Sequence, residues 1–159
     1  MPSSVTHSKT KALQETLGTL EAVPFATVDP KSSLKDVYAQ MQKEKVGCVL
    51  VCKGPKLVGI FSERDLVLKT LGDVPLDTPV EKVMTPDPVT ATVKTTVGEA
   101  VELMHTRGFR NLPILDDKKK PIGLVTVNRI IKYLAALFPA EVYNIPPKPD
   151  QVDEAADGA

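Results

Sequence analysis

The chain writes one supersecondary unit twice. In the stretches SLKDVYAQMQKEKVGCVLV and TVGEAVELMHTRGFRNLPI, Ser33 falls on Thr96, Leu34 on Val97, Val37 on Ala100, Tyr38 on Val101 and Met41 on Met104, at a constant offset of 63. After the next turn Gly59 falls on Gly123, at an offset of 64. A single extra residue in a surface turn is what a duplicated unit tolerates. This repetition constrains the fold more than any composition figure, because every element of one copy must also be an element of the other.

Each copy reads as β-α-β-β-α. A short β-like run, FATV or PVTATV, comes first. SLKD and TVGE are capping boxes, with a hydroxyl at the N-cap and a carboxylate three residues on. Apolar residues at i, i+3, i+4 and i+7 then form one helix face: Leu34, Val37, Tyr38 and Met41, repeated as Val97, Ala100, Val101 and Met104. Two β runs follow, VGCVLVC then LVGIF, or NLPIL then IGLVT, joined by the turns KGPK and DDKKKP, which reads as a hairpin. Pro113 and Pro121 belong at strand ends or edges, since proline donates no ladder bond. A second helix begins at Ser62 or Thr126. The first copy ends near Gly72, and the second runs to Phe138 before Pro139, with an apolar stripe of Ile130, Ile131, Leu134, Leu137 and Phe138. A unit of about 60 residues is marginal alone, so the two copies should share a core. The expected layout is an N-terminal tail over 1–12, a first repeat over 13–73, a linker over 74–88, a second repeat over 89–138 and an extension over 139–159, Pro-rich, acidic and disordered toward its end. The fold class is α+β, two repeats packed as one pseudo-two-fold pair.

Composition narrows the function. Twenty basic and twenty acidic residues give zero formal net charge, which argues against nucleic-acid binding by a strong positive field. No apolar run reaches membrane-spanning length, and MPSSVTHSKTKALQ lacks a signal-peptide core. Cys48 and Cys52 lie four residues apart in one β run, too far to bridge each other, and read as free thiols of a reducing cytoplasm. No metal set and no combination of nucleophile, base and orienter is evident, His7 and His105 being far apart in sequence. Lys118, Lys119 and Lys120 read as a solvated turn, and Met41, Met84 and Met104 as packing residues, with Met84 close enough to the linker to touch a bound base.

The elements VGCVLV…KLVGIFSERDL, VEKVMTPDPVTATV and RNLPILDD…PIGLVTVNRI resemble a tandem pair of CBS domains, the cystathionine β-synthase regulatory module. The resemblance covers roughly Leu13 to Leu137. It implies a disc-shaped pair with two clefts between its halves, a homodimer built through helix faces, and an adenosine-containing ligand such as AMP, ADP, ATP, S-adenosylmethionine or a NAD-type molecule as effector, with no other cofactor. It also implies that Ser62 gives a hydroxyl to phosphate or ribose and that Asp65 accepts the ribose hydroxyls. The base would be held by Val89 and Thr90, with Ile60 beneath it. Arg110 and Asn111 fall where many relatives contact phosphate, although the arginine is one position early. Without an effector domain of its own, such a module would act on a separate protein.

The chemistry of the corner is sensible without the family. A carboxylate accepts two neighbouring hydroxyls, and a helix start offers unpaired N–H groups to anionic oxygen. The competing reading is that SERD is only a capping box. In the second copy, Thr126 keeps the hydroxyl but Arg129 replaces the carboxylate, and guanidinium has donors only. That corner should take a ribose poorly and leave the cleft empty or holding a simple anion. Two rivals remain: a structural dimerisation module with empty clefts, and a small enzyme with an unrecognised site.

Overall fold

A computed structural model of the chain describes residues 10–20, 23–70 and 72–137. Most of the N-terminal tail with His7, and Phe138 with the whole extension, lie outside the described residues. In the first half β1 (Ala26–Val28) leads to α1 (Leu34–Glu44), the hairpin β2 (Cys48–Lys53) and β3 (Lys56–Ser62), and α2 (Glu63–Thr70). A two-residue strand β4 (Thr85–Pro86) opens the second half, followed by α3 (Val97–Arg107), β5 (Asn111–Leu115), β6 (Pro121–Thr126) and α4 (Val127–Leu137). Both 11-residue first helices start one residue after their capping hydroxyl: the Asp36 N–H donates to Ser33 Oγ, and Thr96 and Glu99 form a complete capping box. Lys45 and Gly108, 63 positions apart, end these helices in the left-handed conformation, with φ of 54° and 74°.

One sheet runs β1-β2-β3-β4 and the other holds β5 and β6. β1 pairs with β2 in parallel through Ala26↔Val49, Thr27↔Leu50 and Val28↔Val51. The second half keeps only the last of these pairings, as the bridge Ala91↔Ile114. Pro113 explains the loss. Its carbonyl accepts from the Ala91 N–H at 2.9 Å, so the same edge of Pro113 is where a donor to the preceding strand residues would sit, and proline has none. The proline is thus mid-strand, with its donor-free edge toward the run that fails to become a strand.

A pair of 3-10 turns, Leu17–Thr19 and Val80–Lys82, obeys the same offset of 63. Each serves the other half. The Leu17 N–H donates to the Thr95 carbonyl and the Val97 N–H to that of Glu15; equivalently the Val80 N–H donates to Ser32 and the Leu34 N–H to Thr78. These bonds satisfy the first N–H groups of α1 and α3. Leu17 is buried with Ala91, Val97, Ala100 and Leu112 in the second half, whereas Val80 is buried with Val28, Leu34, Val37 and Phe61 in the first. The segment expected as a linker therefore supplies a core residue. A third cluster of Cys48, Leu50, Leu57 and Leu124 joins the two halves, so the core is shared.

Candidate functional site

Ser62 ends β3 and caps α2. Its N–H and its hydroxyl both reach Asp65 Oδ2, at 3.0 and 3.1 Å, and the Asp65 N–H returns a bond to Ser62 Oγ at 3.3 Å. The capping role considered for SERD is therefore real. The other oxygen, Asp65 Oδ1, pairs with Lys69 Nζ at 3.1 Å. At the second corner the Arg129 N–H donates to Thr126 Oγ1 at 3.1 Å. Each corner is tied to the loop before the hairpin: the Glu63 N–H donates to the Gly47 carbonyl and the Val127 N–H to the Arg110 carbonyl, both at 3.0 Å.

Both corners open onto one cleft of about 1490 Å³. Ile60, Ser62, Asp65, Val89, Arg110, Asn111 and Thr126 all line it, so seven of the eight residues expected at the site come together. Thr90 does not. It is exposed and lies outside the lining, because its neighbour Val89 faces the cleft and consecutive residues of an extended chain point opposite ways. Arg129 is also outside the lining, and its neighbour Asn128 takes the place beside Thr126. Met84 packs against Gly59, where an added Cβ would strike its sulfur, and does not face the cleft.

The walls are chemically divided. Ile60, Val89, Leu124 and Ile130 offer apolar surface suited to a flat base, while Lys45, Arg64, Arg107 and Arg110 suit anionic oxygen. The volume exceeds what a drug-sized ligand needs, about 300–1,000 Å³. Asp87, near Val89, joins Glu44, Glu63 and Asp65 among the carboxylates lining the cleft and holds φ at 45° immediately before Pro88, a conformation such a position rarely adopts, with its N–H bonded to the Val58 carbonyl at 3.1 Å. Cys48 also borders the cleft. Burial, reinforced by the nearby Asp65 and Glu63 charges, pushes its thiol up to about 12, which keeps it protonated and unreactive at neutral pH.

Sequence reasoning missed Lys69, Asp87 and Asn128, and the cleft cations Lys45, Arg64 and Arg107. Lys69 had a signal, since a cation four residues after a carboxylate on a helix is a known pairing. Asp87 had none: a left-handed residue before proline follows from tertiary context. Among the described residues, no group of His, Cys, Asp and Glu could hold a metal ion, and no helix is long and apolar enough to cross a membrane.

Comparison with known proteins accounts for the duplicated architecture. A family model described as CBS domain matches residues 20–72 and 80–136. An uncharacterized 17.7 kDa protein of Acidianus ambivalens is 33% identical over 108 residues, which cover 67% of this chain and 65% of that one. The match thus spans just under two thirds of that relative's length. Among solved structures, the CBS domain NE2398 is 31% identical, with a TM-score of 0.65 over 69% of this chain and 86% of that one. CBSX2 in complex with AMP shares the fold, at 24% identity and a TM-score of 0.66, covering 76% of this chain and 97% of that one.

Proposed function

The chain belongs to the CBS domain family as a tandem pair, and from that membership we propose a regulatory binding module, not an enzyme, that senses an adenosine-containing nucleotide in the cytoplasm. The observation that carries this reading is the cleft itself, where a carboxylate at a helix start, apolar surface and basic side chains face one another. The base would lie against Ile60 and Val89, the ribose diol on Asp65, and the phosphate toward the N-terminus of α2 and Arg110. The AMP complex of the similarly folded CBSX2 supports the class of ligand. Because Thr126 is followed by Arg129 rather than a carboxylate, the module takes one tight adenosyl ligand per chain. Binding would shift the population of conformers or of a dimer and so reach a separate effector protein.

A thermal-shift screen with AMP, ADP, ATP, S-adenosylmethionine and NADH tests the reading. Ligand at a hundred times its Kd adds about 2.7 kcal/mol, or roughly 5–10 °C for a chain of this size. No shift with any compound at several millimolar would leave a structural module with an empty cleft. Titration giving two equivalent sites per chain would refute the asymmetry.

We also propose a homodimer through the helix faces. Val67, Leu68 and Ile131 are 55%, 69% and 54% exposed on α2 and α4, an apolar surface that a second copy would cover across a two-fold axis. Sedimentation at tens of micromolar should give twice the 17.2 kDa chain mass; a monomer excludes a stable dimer.

A further inference from the structure

Lys69 sits at a junction that the nucleotide reading does not by itself explain. Its Nζ lies 3.1 Å from Asp65 Oδ1, 3.2 Å from the Val83 carbonyl and 3.4 Å from Thr85 Oγ1. The ammonium therefore ties the ribose-binding carboxylate to the segment that leads into the second half. Asp65 Oδ2 already accepts both the N–H and the hydroxyl of Ser62. A diol approaching the carboxylate is left with Oδ1, the oxygen that Lys69 holds.

We infer that Lys69 is a latch: a ribose diol displaces its ammonium from Asp65 Oδ1, and the residue 83–86 segment is released from α2 as a result. The reason is the unequal strength of the three contacts. The ammonium donates all three bonds, but only the carboxylate carries the opposite charge, and the other two acceptors are neutral oxygens. Once the carboxylate is taken, holding a long side chain in place for two neutral acceptors no longer offsets its lost freedom, and the ammonium returns to water. Besides Lys69, the segment is held by a two-residue pairing of β4 with β3, by the Val83 and Met84 N–H bonds to the Val80 carbonyl at 3.0 and 2.8 Å, and by the packing of Val83 and Met84 on the first half's core, with the Met84 side chain over Gly59. The second corner has no such device, since the residues aligned with Asp65 and Lys69 are Arg129 and Tyr133. The latch rests on the nucleotide reading and gives that site a means of regulation, with the signal leaving along the connection between the halves.

Lys69→Met, which keeps the stem and removes the charge, tests it in three measurements, with Lys69→Gln as a second variant against packing effects. In the free chain, amide exchange at Val83 and Met84 should run several-fold faster in the variant. Neither residue lines the cleft, so bound nucleotide does not shield them directly. Saturating AMP should speed the same amides in the wild type and leave the variant unchanged. Calorimetric titration should show AMP binding about two- to fivefold tighter to the variant, because nothing has to be displaced. If AMP binds the variant equally or more weakly, or leaves Val83 and Met84 unchanged in the wild type, the latch is wrong while the nucleotide site stands. If the wild type takes up none of the nucleotides, the nucleotide reading fails and the latch with it.

Discussion

Leu17 and Val80 stand 63 positions apart and occupy equivalent places, each buried in the core of the half that the other begins. Their exchange makes the two halves one folding unit. Leu17→Ala should cost about 2–5 kcal/mol and Val80→Ala about 1–3, the range for deleting buried aliphatic side chains. Urea denaturation followed by circular dichroism should show one cooperative transition at a lower midpoint in each case. Two separated transitions would mean that the halves fold independently.

Asp65 has two roles that a single variant separates. Asp65→Ala should lower AMP affinity roughly tenfold to a hundredfold, since bonds to a charged acceptor are worth about 1.5–3 kcal/mol. Its effect on folding should be smaller, about 1 kcal/mol, the loss of a cap and of a part-exposed ion pair. Calorimetric titration beside urea denaturation checks both. Unchanged affinity with lowered stability would reduce SERD to a cap.

Lys45 pays for a left-handed φ of 54° where the second half has Gly108 at 74°. Lys45→Gly should therefore stabilise the chain by about 0.5–1 kcal/mol, seen as a Tm higher by roughly 1–4 °C. A lower Tm would show that the lysine makes a compensating contact.

The buried Cys48 thiol gives stability a signature at high pH. Its folded pKa is raised to about 12 from the ordinary 9.0, chiefly by burial. The neutral thiol's contribution is fully present below about 9 and is lost as pH rises toward 12. Over that window the wild type should lose up to about 1.4 kcal/mol per pH unit relative to Cys48→Val, compared by urea midpoints at each pH. Parallel curves for the two proteins would show that the thiolate is tolerated in the fold.

Gly59 and Met84 are coupled by contact, because a Cβ at Gly59 meets the Met84 sulfur. Gly59→Ala should cost about 1–3 kcal/mol by overpacking, and clearly less in a Met84→Ala background. Equal costs in both backgrounds would place the strain elsewhere.

The helices were legible because their signals are periodic and repeated. Ser33 and Thr96 announced the starts, and Leu34, Val37 and Met41 with Val97, Ala100 and Met104 marked the buried faces, whereas Tyr38 and Val101, read onto the same faces, lie at their edge and are exposed. The hairpins were legible from their turns, where Asp116 Oδ1 accepts from the Lys118 and Lys120 N–H groups and the lysines point outward. The 3-10 turns were not, since three residues carry no period and their apolar residue packs in the opposite half. Nor was the loss of the second half's leading strand, which depends on which edge Pro113 presents. At the site, residue type located Ser62, Asp65 and Thr126, but the aim of Val89 against Thr90 depended on a register that pattern alone leaves open.

The crossed turns also say what the covalent connection between the halves achieves. A chain with one such unit would have a leading turn that fits only another unit's core, and a core that only another chain's turn could complete. It would fold by pairing, at a rate and extent set by concentration. Joining two units end to end makes that encounter intramolecular, so the exchange persists at any dilution. The join also frees each unit to diverge, which is how one corner keeps an aspartate while its twin carries an arginine.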